Sequence, residues 1–289
     1  MSDNTQTPDS ASGGEPPAGG GLSNLQLRVI SAVVMVVAVL FLTWLGGTWF
    51  RIFTALLGVA IFYEWMSMAK ALDRPAGPSV VLLVVALAIM VAGGPAWIVL
   101  LFLAVAPIVV LLSQGLAPAG PWPASGITYA GLAALSLAFL RGDDQAGLIA
   151  LLFLFATVWV TDILAYFVGR AVGGPKLAPS TSPGKTWSGA IGGAVAGTIA
   201  GLIIAWIAGG ALVPLGVIAL ILSVVAQFGD LFESWVKRRH GVKDSSNVIP
   251  GHGGVMDRVD GLVAAALALY AIGALAGDPN SPARTLFPG

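Results

Sequence analysis

A chain of 289 residues with no cysteine offers no disulfide framework and no cysteine-based metal site. Hydrophobic residues make up 57%, the 38 glycines raise the apolar-plus-glycine share to about 70%, and charged residues are only 10%; a soluble domain carries ~45–50% and ~25%. So few charges cannot cover the surface of a soluble protein of this size, and the chain reads as an all-α, polytopic integral membrane protein.

In chain order, residues 1–22 hold Pro8, Pro16, Pro17 and Gly19-Gly20-Gly21, with Asp3, Asp9 and Glu15 as their charges. Nothing there can bury apolar area, so a disordered cytoplasmic tail is expected up to residue 27. It also lacks the basic start and apolar run of a secretory signal. Apolar stretches long enough to cross a bilayer follow at about 29–46, 50–69, 79–92, 95–113, 125–140, 146–169, 188–208, 211–229 and 260–276. The third and fourth are parted only by Gly93-Gly94-Pro95, and one long broken segment is the alternative there. The predicted organisation is N-terminal transmembrane helices over 28–145, a C-terminal transmembrane catalytic region over 146–277 and a tail over 278–289.

Lys and Arg set the orientation. With nine spans, one side receives Arg28, Lys70, Arg74, Arg170, Lys176, Lys185, Lys237, Arg238, Arg239, Lys243 and Arg258, and the other only Arg51, Arg141 and Arg284. Eleven against three places the N-terminus and the even-numbered loops in the cytoplasm. Joining the third and fourth spans would move Arg28, Lys70 and Arg74 outside, which favours nine. No fixed-period repeat is present. Gly189, Gly192, Gly193, Gly197 and Gly201 give the seventh span a small-residue face suited to close helix packing.

Between Asp162 and Asp260 lie six of the 14 acids, eight of the 14 basic residues and both histidines, His240 and His252. A charge at mid-bilayer costs at least ~2.5–3.5 kcal/mol on insertion scales, so acids in or at the ends of spans are functional candidates. Asp162, Asp230 and Glu233 meet that description. Arg238 and Arg239 are read as a solvated, orienting pair.

Three pieces stand out. In the first, Asp162, Tyr166 and Arg170 recur every four residues along one helical stripe; Lys176 and Ser182-Pro-Gly-Lys185-Thr-Trp187 follow. That turn lacks the leading glycine of a Walker A loop, yet it puts a lysine and two hydroxyls just before a helix N-terminus, a place that favours anions. In the second, a helix carries Asp230, Glu233, Ser234 and Lys237 on one face. Two acids there suit a hard divalent cation, whereas Glu233 with Lys237 also fits an ordinary i,i+4 ion pair. The third is Pro250-Gly251-His252-Gly253-Gly254. It cannot be helical, its backbone N–H groups can cradle phosphate, and it leads directly into Asp257, Arg258 and Asp260.

The stretch Ser234–Asp260 resembles the signature of the phosphatidate cytidylyltransferase family (CDP-diacylglycerol synthases), through Ser234, Lys237-Arg238, Lys243-Asp244, Pro250, His252-Gly253-Gly254, Asp257-Arg258 and Asp260. Gln227–Ser234 and Ser182–Trp187 look like further family elements, so the likeness covers about 162–261. Gly261 stands where members often have serine, Ser188 where a glutamate is expected, and Asp162–Tyr166 is a looser match.

The resemblance implies transfer of CMP from CTP to phosphatidate, giving CDP-diacylglycerol and pyrophosphate in phospholipid synthesis. It implies Mg²⁺, with a second cation left open, and a homodimer is compatible with it. Its partners are CTP, phosphatidate and membrane lipid, with no nucleic acid. The lipid phosphate would attack the α-phosphorus of CTP directly, so catalysis rests on positioning and charge neutralisation. On this reading the catalytic residues are Asp230, Asp257, Lys237 and Arg258. The metal ligands are Asp230 and Asp257, supported by Asp260 and Asp244, and the substrate-binding residues are Ser182, Lys185, Ser234, Lys243, His252, Gly253 and Gly254. The site would face the cytoplasm from a bacterial inner membrane. A transporter predicts polar residues near mid-bilayer in paired halves, which this one-sided cluster does not match. A CTP-dependent lipid-alcohol kinase would transfer the γ-phosphate instead. The Asp-Gly…Ala-Arg…Gly…Asp…Asp pattern of a CDP-alcohol phosphotransferase is absent.

Overall fold

The computed structural model describes residues 24–69, 77–114, 121–246, 248–249 and 253–288. The N-terminal tail before Asn24, Lys70, Arg74 and the Pro250-Gly251-His252 run lie outside the described residues. Those described form helices α1 (Asn24–Leu45), α2 (Gly47–Met68), α3 (Gly77–Val91), α4 (Ala96–Gln114), α5 (Trp122–Arg141), α6 (Gln145–Val172), α7 (Trp187–Ile207), α8 (Leu212–Arg239), α9 (Met256–Ala276) and the short α10 (Pro282–Leu286). Strands β1 (Lys176–Ala178) and β2 (Ser182–Thr186) lie between α6 and α7.

Each expected apolar segment is a helix. Six of them (α2 and α5–α9) are long and apolar enough to cross a membrane, and shorter apolar stretches occupy Val29–Leu45, Val80–Val91 and Ala96–Leu112. α3 and α4 are separate helices packed on each other. Gly93, at φ +80°, makes the turn that only glycine adopts without strain.

The core runs through α2, α5, α6, α8 and α9, with Phe50, Ile61, Leu135, Leu151, Phe153 and Leu154 almost fully buried. Outer faces remain strongly apolar: Val34, Trp44, Leu112, Trp206 and Val213 are exposed, as suits helices whose solvent is lipid rather than water. α6 and α7 are packed most extensively, and the reason is small residues. A Cβ on Gly193 would stand 2.6 Å from the Thr161 carbonyl oxygen, and one on Gly197 2.7 Å from that of Thr157. α8 is tied to the same pair by Thr161 Oγ1 and Ser223 Oγ, 2.6 Å apart, and by Gln227 Nε2 donating to the Ala190 carbonyl at 3.3 Å.

Polar contacts sort to the two ends of the bundle. At one end the Arg141 side chain, buried at the C-terminus of α5, donates to the Thr43, Trp44 and Asp144 carbonyls. Arg51 pairs with Asp143 at 2.6 Å, Arg284 pairs with Asp144, and Asn280 Oδ1 accepts from Ala96 N at 2.8 Å. The three basic residues read as the sparse side of the charge bias are thus structural ties there. The opposite end holds the C-termini of α2, α6 and α8, the N-termini of α7 and α9, and the β-hairpin.

One local expectation changes. Ser182–Thr186, read as a turn before a helix, is instead a strand, paired antiparallel with Lys176–Ala178 so that Lys176 lies opposite Thr186 and Ala178 opposite Ser182. Thr186 closes it and caps α7, its Oγ1 accepting from Gly189 N at 3.1 Å.

Candidate active site

A cavity of about 880 Å³ opens at this second end, between α6, the hairpin, α7, α8 and the first turn of α9. α6 contributes Asp162, Tyr166 and Arg170, the predicted stripe, and the Arg170 guanidinium donates to the Tyr166 hydroxyl at 3.1 Å. The hairpin contributes Lys176, Ser182 and Lys185, α8 contributes Gln227 and Asp230, and α9 contributes Asp257, Arg258 and Asp260. The Lys185 ammonium is paired with the Asp230 carboxylate across the cavity. Asp162, Asp230 and Asp260 thus line one cavity together.

Behind this wall is a denser polar layer. Lys237 lies between two carboxylates, 2.7 Å from Glu233 Oε2 and 2.6 Å from Asp257 Oδ1, so the i,i+4 pair expected on α8 is made and extended to α9. Asp257 Oδ2 accepts from Ser245 N, Ser245 Oγ and Gly254 N at 2.9, 3.0 and 2.8 Å. Both oxygens of Asp257 therefore already carry protein donors. Gly253, at φ +81°, pairs with Ile249, and its missing Cβ leaves room for Asp257. Ser234 Oγ donates to Asp230 Oδ1 at 3.4 Å, within α8.

The structure thus brings Asp230, Asp257, Asp260, Arg258, Lys185 and Ser182 to one cavity. Lys237, Ser234 and Gly254 support that wall from behind. Lys243 and Asp244 are exposed on the loop and do not line the cavity. His252 lies outside the described residues.

Glu64 on α2 escapes the sequence reading. Its carboxylate is 1% exposed and accepts from Ser245 Oγ, Ser246 Oγ, Val255 N and Met256 N at 3.0, 2.6, 2.7 and 2.7 Å. The signal was available: an acid near the end of an apolar span meets the criterion that picked out Asp162.

Hard oxygen donors suit Mg²⁺, which takes one or two protein carboxylates and fills its octahedron with water and substrate phosphate. Among the described residues no three acids or histidines gather tightly enough to cage an ion alone.

The profile of the cytidylyltransferase family matches residues 26–276. A phosphatidate cytidylyltransferase of Brucella suis biovar 1 (strain 1330) is 50% identical over 273 residues, covering 92% of this chain and 99% of its own length. One from Rickettsia bellii (strain RML369-C) is 30% identical over 262 residues, 88% of this chain and 92% of its own. One from Bacillus subtilis (strain 168) is 40% identical over 138 residues, 47% and 51% of the two chains. The match extends well upstream of the charged stretch that first suggested it. The chain belongs to the cytidylyltransferase family.

Proposed function

We propose that this membrane protein is a CTP:phosphatidate cytidylyltransferase. The observation that carries the reading is the single cavity in which Asp162, Asp230 and Asp260 face Lys185, Lys176 and Arg258 between helices whose outer faces are apolar. A triphosphate needs the cations, a hard metal ion needs the carboxylates, and a lipid phosphate needs a site bordering the bilayer. The long matches to proteins named phosphatidate cytidylyltransferase support the same substrates.

In the reaction a phosphate oxygen of phosphatidate attacks the α-phosphorus of CTP, and the bond from that phosphorus to the bridging β-phosphate oxygen breaks. CDP-diacylglycerol and pyrophosphate result. No enzyme nucleophile or redox step is required, so the protein acts by holding two anions in line and offsetting their charge. Asp230 and Asp260 would hold Mg²⁺, which when bound would neutralise charge on the phosphates and orient them. Lys185 is held by Asp230 at the cavity and is placed to bind phosphate oxygens, as are Lys176 and Arg258. Asp257 and Lys237 hold each other, and we assign them to fixing the first turn of α9. Lys243 and Asp244, on the exposed loop, belong to the approach of substrate. The resemblance also favours a homodimer, which light scattering of the detergent-solubilised protein decides. The charge bias favours a cytoplasmic-facing site in a bacterial inner membrane, the side on which CTP is found.

The test uses purified protein, phosphatidate, Mg²⁺ and CTP labelled separately at the α- and γ-phosphates. The expected result is α-label in lipid and γ-label in pyrophosphate. γ-Label entering an added lipid alcohol would instead make the protein a kinase, and transfer of neither label would overturn both.

A further inference from the structure

α9 begins at Met256 with no side chain from its own segment capping it. A helix start leaves backbone N–H groups unpaired, and at a buried start they must find an acceptor. Here the acceptor comes from another part of the chain. Glu64, near the end of α2, takes the N–H groups of Val255 and Met256 at 2.7 Å each. The same carboxylate takes the hydroxyls of Ser245 and Ser246 at 3.0 and 2.6 Å. A buried anion at a helix N-terminus, with four donors on it, is among the stronger anchors available to a loop.

The anchor reaches the cavity by two routes. Ser245 Oγ stands 3.0 Å from Glu64 Oε2 and 3.0 Å from Asp257 Oδ2, so one hydroxyl lies between two carboxylates, and its single proton serves one of them at a time. Asp257 in turn holds Lys237. The second route is the helix itself: the first turn of α9, held by Glu64, carries Asp257 and Arg258 on the cavity wall and leads directly into Asp260. Gly254 lets the carboxylate approach, because a Cβ there would stand 2.7 Å from both Glu64 oxygens.

We infer that Glu64 is a positioning residue for the transfer reaction: from the N-terminal half of the chain it sets the height and rotation of the first turn of α9, and through it the cavity groups of that turn. The N-terminal helices then form part of the active-site scaffold as well as a membrane anchor. The inference rests on the cavity being the site of cytidylyl transfer.

The test compares Glu64→Gln, Glu64→Asp, Ser245→Ala and Asp230→Asn as full-length proteins in detergent, with CTP and phosphatidate varied independently. Gln keeps the shape but turns an acceptor oxygen into a donor facing N–H and O–H groups. Displacement of the α9 turn then lowers kcat about tenfold or more while KM for CTP stays within about threefold, since misplacement of reacting groups acts on the chemical step. Asp, which keeps the charge, recovers part of the lost rate. A Glu64→Gln protein whose kcat per folded molecule equals the wild-type value overturns the inference, as does a rise in KM alone. If Glu64→Gln does not fold, Glu64→Asp decides: it keeps the charge but draws the carboxylate back from the Val255 and Met256 N–H groups, and a wild-type kcat there counts against the inference. Ser245→Ala leaves the cap in place and isolates the link to Asp257. Asp230→Asn separates the two levels: full activity in that variant removes the cavity reading itself, while its inactivity beside a fully active Glu64→Gln removes only the role of Glu64.

Discussion

Single side chains in this protein do work that their neighbours in sequence do not foreshadow. Asp257 looks from its motif like a metal ligand, but four donors from Lys237, Ser245 and Gly254 already surround it. Asp230 and Asp260 face the cavity with Lys185. Asp260→Asn should therefore raise the Mg²⁺ concentration needed for half-maximal activity, and high Mg²⁺ should restore part of the rate. A variant equally slow at every Mg²⁺ concentration would take Asp260 out of the ligand set. Arg141 offers a contrast at the far end. It neutralises and satisfies the carbonyls that end α1, so Arg141→Ala strands buried acceptors at about 1–3 kcal/mol. Its expected outcome is a lower melting temperature in detergent with kcat per folded molecule unchanged.

At the scale of elements, the cavity exists because α6 and α7 approach through glycine. Gly197→Val places two methyl groups where the Thr157 carbonyl already lies within 2.7 Å of a Cβ. Overpacking of this kind costs about 1–3 kcal/mol, and a lowered melting temperature together with reduced activity is expected. Gly184, with nothing within 4 Å of a Cβ, should accept alanine without loss of stability. The end of α8 docks through an aromatic group: the His240 ring meets Trp122 edge-on at 4.5 Å, and the Arg239 guanidinium lies 5.9 and 5.8 Å from the Trp122 and Trp235 rings. Burial, and then the Arg239 charge, hold His240 below its ordinary pKa of 6.5. The folded state thus favours the neutral ring. Its stability is fully present above pH 6.5 and is lost as pH falls from 6.5 through the lower folded value. His240→Phe should flatten the melting temperature between pH 7.5 and 5.5 relative to wild type.

Over the whole molecule, the sequence carries the layout far better than the tertiary links. Apolar segments, their breaks and the Lys/Arg bias are local sums, so the helices appear where hydropathy puts them, including the α3–α4 break at Gly93. The stripe of Asp162, Tyr166 and Arg170 and the face of Asp230, Ser234 and Lys237 follow from helical periodicity and reappear on or against the cavity. The hairpin at 176–186 is hidden because Pro183 and Gly184 argue against a strand, and pairing with β1 is what holds it. Glu64 meets the span-end criterion, but its role is hidden because its partners lie 181 to 192 residues away. The absence of cysteine makes the orientation directly measurable. A single cysteine at Lys243 should react with an impermeant thiol reagent only from the cytoplasmic side, and one at Arg284 only from the opposite side; the reverse pattern would invert the topology.

We assign cytidylyl transfer to the cavity walled by Asp230, Asp260 and Lys185. The most direct test of that assignment is the turnover of Asp230→Asn with saturating CTP, phosphatidate and Mg²⁺. A loss of about 100-fold or more, with wild-type melting behaviour, is the expected result for a group that holds both the metal ion and the phosphate-binding lysine in place. Turnover within about twofold of wild type would place the chemistry elsewhere in the molecule.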